Sequence, residues 1–265
     1  TYLVADNGMH TFTNGVTLTT TGEQWVRVTD TVGGQTGAQS AITVTPAALS
    51  YFTVNSITDP VVAGVATSPV VTAYDAYDNI KTDYTGTIHF TSTDVKGTTV
   101  LPADYTFTGE GVDQDNGIHT FTDGVILTTT GSQTVTVTST VGAKTGEQAV
   151  YVNPGPIGHF TVSGITDPVV AGVATSPVVT AYDVYDNIKT DYTGTIHFTS
   201  TDVKGTTVLP ADYTYLVADN GIHTFTDGVT LTTTGNQAVT VTDTVGSQTG
   251  SQTVHVDPAA IGYFT

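Results

Sequence analysis

The sequence predicts an all-β protein made of tandem repeat units, and three observations lead to this fold class. A long segment that begins at Ile57 recurs almost unchanged from Ile165. Apolar and polar residues alternate with a period of two, as in Thr134–Thr138, which is typical of strands with one buried face. Asn-Gly and Asp-Gly pairs, which favour hairpin turns, separate these segments. We therefore expect short strands and no helical domain.

The repeat divides the 265-residue chain into units. Pro-containing segments separate the copies at Thr45–Ala48, Asn153–Pro156 and Asp257–Ala260, and such segments are short, stiff joints. The predicted organisation is the C-terminal half of a unit (1–46), a complete unit (47–154), a second complete unit (155–258) and the start of a further unit (259–265). The second complete unit is shorter because its loop between Tyr215 and Asn220 has lost residues, and loops tolerate length changes.

Each unit contains seven or eight predicted strands in about 105 residues. Turns are placed at Asn116-Gly117, Asp123-Gly124 and Thr130-Gly131, and helical periodicity is lacking. This strand number and spacing are typical of an immunoglobulin-like Greek-key β-sandwich. The sequence thus predicts tandem immunoglobulin-like Greek-key β-sandwiches in an elongated array, stabilised by burial and strand pairing without the usual disulfide.

Composition excludes several classes of function. The chain has 24 acidic and 6 basic residues and a formal net charge of −18, which disfavours binding to nucleic acid or anionic lipid. It has no cysteine, so disulfides, Cys-ligated zinc and thiol nucleophiles are excluded. Its apolar runs are too short to span a bilayer, and no membrane insertion is expected in this segment.

The residues of one strand, turn and strand carry a family resemblance. Ser68–Asn79 followed by Tyr84–Ser92 resembles the signature of bacterial immunoglobulin-like repeats in large surface adhesins, the invasin-like repeat proteins. Asp78 and Asp186 stand where those repeats usually have Gly, and Asp tolerates the left-handed backbone that this turn needs. The resemblance implies a stalk or adhesive array at the cell surface or in the extracellular space.

Acidic turns are the candidate metal sites. Calcium takes six to eight oxygen ligands from carboxylates, amides, carbonyls and water. The candidate ligands are Asp75, Asp78, Asn79 and Asp83, with their counterparts Asp183, Asp186, Asn187 and Asp191. Lys81 and Lys189 place a cation in each turn, and a solvated acidic turn is the competing interpretation. No cofactor is expected to be required, and calcium stays an open alternative.

The sequence does not predict an enzyme. His10, His119 and His223 occupy equivalent strand positions, as do His89 and His197, and none shows metal-ligand spacing. No Gly-x-Ser-x-Gly elbow occurs, and the abundant Asp residues cluster in turns, where Asp is expected for conformational reasons.

The leading functional hypothesis is a structural repeat segment of a long extracellular surface protein, a stalk or spacer or a self-assembling filament in adhesion. Its partners would then be copies of itself in a fibre or surface layer.

One alternative is a module that binds a surface glycan or protein through an exposed aromatic ring. Alternation predicts that Tyr74 and Tyr84 face the core, which leaves Tyr77 and its counterpart Tyr185 as the platform. A further alternative is an accessory domain of a secreted enzyme.

Overall fold

The computed structural model describes residues 3–260 and shows an all-β chain. Residues 261–265 of the predicted start of a further unit (259–265) therefore lie outside the described residues. Within them, the helical elements are two single-turn 3-10 helices, Val4–Asp6 and Val217–Asp219. Among these residues no helix has the length and apolar character needed to cross a membrane.

Residues 3–46 contain one hairpin, made of β1 (Gly22–Thr29) and β2 (Thr36–Val44). It corresponds to the last hairpin of each complete unit. Phe12 and Val28 are 68% and 63% exposed, whereas their counterparts Phe121 and Val137 are 9% and 0% exposed. The same apolar positions are thus core residues only where the facing sheet of the unit is present.

The first complete unit contains ten strand segments. They are β3 (Leu49–Asn55), β4 (Val61–Val62), β5 (Ala66–Thr67), β6 (Val70–Asp75), β7 (Thr87–Ser92), β8 (Tyr105–Thr106), β9 (Ile118–Thr120), β10 (Val125–Ile126), β11 (Gly131–Ser139) and β12 (Thr145–Asn153). One sheet has the order β3-β6-β9, and the other has the order β4-β12-β11-β7-β8. The short strands β5 and β10 form a separate antiparallel pair. The two sheets form the sandwich that the strand spacing predicts.

The second complete unit repeats this topology. Its strands are β13 (Ile157–Ser163), β14 (Val169–Val170), β15 (Ala174–Thr175), β16 (Val178–Asp183), β17 (Thr195–Ser200), β18 (Tyr213–Thr214), β19 (Ile222–Thr224), β20 (Val229–Thr230), β21 (Gly235–Asp243) and β22 (Thr249–Asp257). The sheets are β13-β16-β19 and β14-β22-β21-β17-β18, with β15 paired to β20. In the first unit β4 pairs in parallel with β12, and in the second unit β14 pairs in parallel with β22.

The predicted count of seven or eight strands is too low, because bends divide the edge strands. The cis peptide bond before Pro60 lies between β3 and β4, and these two segments pair in different sheets. Two-residue segments such as β8 carry too little alternation to be recognised in sequence. The all-β class and the sandwich are nevertheless confirmed.

Each unit has its own hydrophobic core. In β11 the side chains of Val135 and Val137 are fully buried between residues that face outward, and in β21 Val239 and Val241 occupy the same positions. One cluster draws its buried residues from 52–152 and the other from 160–256. At about 25 cal/mol per Å² of buried apolar area, such clusters are the dominant stabilising contribution in each sandwich.

Candidate functional site at the joint between units

The predicted acidic turns lie at the joints. The turn Asp75–Asn79 follows β6, the turn Asp183–Asn187 follows β16, and we call each of them a joint turn. Asp78 and Asp186 both have φ of 61°, so each adopts the left-handed backbone conformation predicted for this turn. Each joint turn faces the residues that precede its unit in the chain, as the following contacts show.

Asp75 is a buried carboxylate that organises the first joint turn. It is 1% exposed and accepts backbone N–H groups from Ala47, Tyr77 and Asn79 at 2.9, 2.8 and 3.0 Å. Burial alone would raise its pKa, but the hydrogen bonds from Asn79, Ala47 and Tyr77 outweigh burial and lower the pKa to about 2. The ionised carboxylate therefore ties the joint segment at Ala47 to the turn.

Asp183 repeats this arrangement in the second joint turn. It is fully buried and accepts N–H groups from Gly155, Tyr185 and Asn187 at 2.8, 2.9 and 2.9 Å. The Asn187 side-chain amide donates to the same carboxylate at 2.8 Å. Burial opposes ionisation here too, and the hydrogen bonds from Asn187, Gly155 and Tyr185 lower the pKa of Asp183 below its ordinary value.

The structure does not bring all the predicted calcium ligands together. Asp78 accepts the Tyr51 hydroxyl at 3.0 Å, and Asp186 lies 3.8 Å from His159. The two remaining carboxylates pair with the lysines of their own turns: Lys81 with Asp83 and Lys189 with Asp191, each at 2.7 Å. Among residues 3–260, no group of three or more His, Asp or Glu side chains is arranged to hold a metal ion.

Asn187 joins the two complete units. Its amide nitrogen donates to the carbonyl oxygen of Thr128 at 2.7 Å, and its amide oxygen accepts the N–H of Thr130 at 3.3 Å. Asn187 is 6% exposed and Thr128 is fully buried. Because unpaired buried polar groups cost about 1–3 kcal/mol each, these bonds specify the position of one unit on the other.

Lys96 adds a charged contact to the same joint. Its ammonium group donates to the Tyr185 carbonyl at 2.6 Å and to the Asn187 amide oxygen at 2.7 Å. Hydrogen bonds from a charged donor are shorter and stronger than neutral ones. The first complete unit thus contributes a cation, a carbonyl and an N–H to a single asparagine side chain of the next unit.

The loop that presents Thr128 is held by a second buried carboxylate. Asp94 accepts the N–H groups of Thr128 and Thr129 at 2.6 and 2.9 Å and the Thr129 hydroxyl at 2.6 Å. Burial raises the pKa of Asp94, and the stronger effect of these hydrogen bonds lowers it overall. Asp202 holds Thr232 and Thr233 in the same way in the second complete unit.

The first joint uses the same asparagine geometry. Asn79 donates to the Thr19 carbonyl at 2.7 Å and accepts the Thr21 N–H at 3.2 Å. Thr19 and Thr21 are the sequence counterparts of Thr128 and Thr130. At both joints, therefore, an asparagine of the joint turn bonds to the backbone of two threonines in the preceding residues.

Tyr185 provides the apolar part of the joint. It packs against the hydrophobic cluster of the preceding unit, and its ring covers Gly64, where a Cβ atom would overlap the ring. Gly64 has φ of +85°, so glycine is favoured there both by its backbone and by this close approach. Its counterpart Tyr77 is 55% exposed, and residues 1–46 contain no counterpart of Gly64.

These positions correct the prediction for the aromatic residues. Tyr84 is buried as expected, but Tyr74 is only half-buried and stacks on Tyr51 with ring centroids 5.1 Å apart. Period-two alternation in β6 points Val71, Ala73 and Asp75 inward, so Tyr74 lies on the opposite face of the strand. Tyr185 lies in the joint, so only Tyr77 of the predicted platform pair presents an exposed ring.

Sequence reasoning missed the residues that receive the joint turn. The available signal was the Asp-Val-Lys-Gly segment, which recurs at Asp94–Gly97 and Asp202–Gly205. It also missed carboxylate partners of the histidines: His119 pairs with Asp115 at 2.7 Å and His89 with Asp104 at 2.6 Å. The first pair lies beneath the ring of Tyr105, which stacks on the imidazole at 3.9 Å between centroids.

Comparisons with known proteins give similarity in fold at low sequence identity. No protein-family model and no curated protein sequence matches the chain. Among solved structures it is similar to FdeC, an Escherichia coli adhesin, with 18% identity, a TM-score of 0.40 and coverage of 92% of this chain and 89% of that one. It is also similar to invasin, a bacterial integrin-binding protein (19%, 0.33, 79% and 40%), and to surface layer protein SbsC (17%, 0.34, 91% and 36%).

Proposed function

We propose that this chain is a structural segment of a long extracellular surface protein, in which immunoglobulin-like units are held in a stiff row as a stalk or spacer. The proposal includes the division into units at residues 46, 154 and 258, with each unit a separate sandwich. It assigns no catalytic role to the chain. The adhesive partner would be bound elsewhere in the protein or by an exposed ring such as Tyr77.

The observation that carries this proposal is the joint between the two complete units. Asn187 is bonded to Lys96, Thr128 and Thr130 of the preceding unit, and Tyr185 fills the space above Gly64. A flexible linker would leave such groups in water, and relative motion is the default for units joined by small interfaces. One buried and three partly buried hydrogen bonds at one joint instead favour a fixed angle between the units.

The hydrogen bonds at the joints also explain why the turns carry buried carboxylates, without requiring a metal ion. Asp75 and Asp183 each accept hydrogen bonds from three backbone N–H groups, which occupy the carboxylate oxygens that a calcium ion would need. We therefore propose that the joint is stiff without calcium. Calcium binding by the eight turn residues stays a prediction, which small-angle scattering and thermal melts in calcium and in EDTA test.

A distance measurement across the joint tests the spacer function. The chain has no cysteine, so Val141→Cys and Val245→Cys give two unique sites for spin labels. Both positions are strongly exposed, at 82% and 92%, and they are counterparts in the two units. Pulsed dipolar spectroscopy on the labelled chain should give one narrow distance distribution.

Variants of the joint provide the comparison. Lys96→Met combined with Asn187→Ala should broaden the distribution, whereas Lys204→Met, at the counterpart of Lys96, should leave it narrow. A broad distance distribution in the chain without joint substitutions, equal to that of the double variant, would refute the stiff spacer.

Antibodies against the chain should bind intact, unpermeabilised cells of its source, and binding only after permeabilisation would contradict the extracellular placement.

A further inference from the structure

The second complete unit carries its own copy of the surface that receives a joint turn. In the first complete unit this surface consists of Ala63, Gly64, Lys96, Thr128 and Thr130, and we call it the acceptor surface. Its counterparts in the second unit are Ala171, Gly172, Lys204, Thr232 and Thr234. The two surfaces have the same sequence in the same topological positions, so their differences show what the bound turn changes.

The apolar half of the second acceptor surface is open. A Cβ atom at Gly64 would meet the Tyr185 ring, but a Cβ atom at Gly172 would meet no heavy atom of the described residues within 4 Å. The backbone is the same at both sites, with φ of +85° and +86°. Among the described residues, Gly172 thus has the backbone conformation of Gly64 without a ring packed against it.

The polar half is also preformed, and its groups contact no joint turn within residues 3–260. Lys204 is exposed and its ammonium group donates to the Thr232 carbonyl at 3.2 Å, whereas Lys96 donates to the incoming turn at 2.6 and 2.7 Å. Thr232 is partly exposed, while Thr128 is fully buried. Asp202 fixes the loop of Thr232 as Asp94 fixes that of Thr128, so the carbonyl and the cation are in place before any partner binds.

We infer that the acceptor surface of the second complete unit binds the Asp-x-Tyr-Asp-Asn turn of a further immunoglobulin-like unit of the same kind. The tyrosine ring would cover Gly172, and the asparagine amide would bond to the Thr232 carbonyl and the Thr234 N–H. Lys204 would move from Thr232 to the tyrosine carbonyl and the asparagine oxygen. The inference rests on the proposed spacer function, and it names the partner surface that continues the row.

The hydrogen bonds at the two observed joints specify which turn fits the second acceptor surface. A side chain there must donate a hydrogen bond to a carbonyl and accept one from an N–H at one amide, and asparagine does this at both observed joints. At the second joint the amide oxygen of Asn187 also accepts from Lys96. The partner must also place a tyrosine two residues earlier, as in Tyr185 and Asn187. Both joint turns of a second copy of this chain already contact their own preceding residues, so the occupant is the turn of a further unit rather than of a second copy.

An extended chain tests the inference. Residues 1–258 are followed directly by a second copy of residues 155–265, and spin labels are placed at Val245 and at its counterpart in the appended unit. If the acceptor surface binds the appended joint turn, the new distance distribution should be narrow and should have the same centre as that between Val141 and Val245. Lys204→Met should have no effect on the unextended chain but should broaden the new distribution in the extended one.

Two outcomes separate this inference from the spacer proposal. A narrow distribution between Val141 and Val245 with a broad one across the appended joint overturns the inference and leaves the spacer proposal intact. A broad distribution between Val141 and Val245 refutes the spacer proposal itself. An unchanged distribution in the extended Lys204→Met chain also overturns the inference, and calorimetry of each variant shows that the appended unit is folded.

Discussion

Replacing Lys96 by methionine isolates the charged contact across the joint. The substitution keeps the apolar stem and removes the two hydrogen bonds that the ammonium group donates to Tyr185 and Asn187 at 2.6 and 2.7 Å. Lys204→Met is the matched control, because Lys204 has the same sequence context but donates to Thr232 of its own unit at 3.2 Å.

The expected loss follows from these contacts. Hydrogen bonds to a charged group contribute about 1.5–3 kcal/mol each, but Lys96 is partly exposed, and solvent reduces this value. We expect Lys96→Met to lower the free energy of unfolding of the coupled units by about 1–3 kcal/mol. The exposed control should change it by less than about 0.5 kcal/mol. For units of this size, 1 kcal/mol corresponds to about 4–8 °C in Tm.

Differential scanning calorimetry of the whole chain measures the effect, since the chain holds more than one unit and several transitions are expected. A double-mutant cycle with Asn187→Ala then gives the coupling between the two side chains. Coupling of at least about 0.5 kcal/mol is expected for residues in direct contact. Equal shifts for Lys96→Met and Lys204→Met, or zero coupling in the cycle, would show that Lys96 does not hold the joint.

Three further predictions concern the asparagines, the carboxylates and calcium. Asn187→Ala should destabilise the chain by about 2–4 kcal/mol and Asn79→Ala by less, because only Asn187 also accepts from a lysine; calorimetry showing the reverse order would contradict the assignment. The pKa of Asp75 is lowered to about 2, so its contribution to stability is present above the unfolded value of about 4 and is lost as pH falls towards 2. Thermal melts from pH 5 to pH 2 should show this loss, and Asp75→Asn should remove part of the slope; an identical slope in that variant would refute the role of the carboxylate. Millimolar calcium or EDTA should leave the small-angle scattering curve and Tm unchanged, whereas a longer or stiffer particle with calcium would make the joint turns metal sites.

Local sequence patterns determined the fold class and the repeat organisation. Alternation at Thr134–Thr138 predicts a strand that the structure shows within β11, and Asn-Gly and Asp-Gly pairs mark the turns. These features follow from backbone preferences and the period-two geometry of strands, which act over a few residues. The left-handed conformation of Asp78 is predicted for the same reason.

Only the tertiary structure shows which groups the acidic turns contact. Asp75 and Asn79 bond to each other, but Asp78 accepts from Tyr51 and Asp83 from Lys81. Asn79 also bonds across the joint to Thr19. Lys96 and Asn187 are 91 residues apart, so no local pattern links them. Contacts between units depend on how two folded surfaces meet, and period-two patterning and turn propensity contain no information about that meeting. Asn79 and Asn187 thus make hydrogen bonds to the preceding unit, while calcium binding by the turn residues stays a prediction.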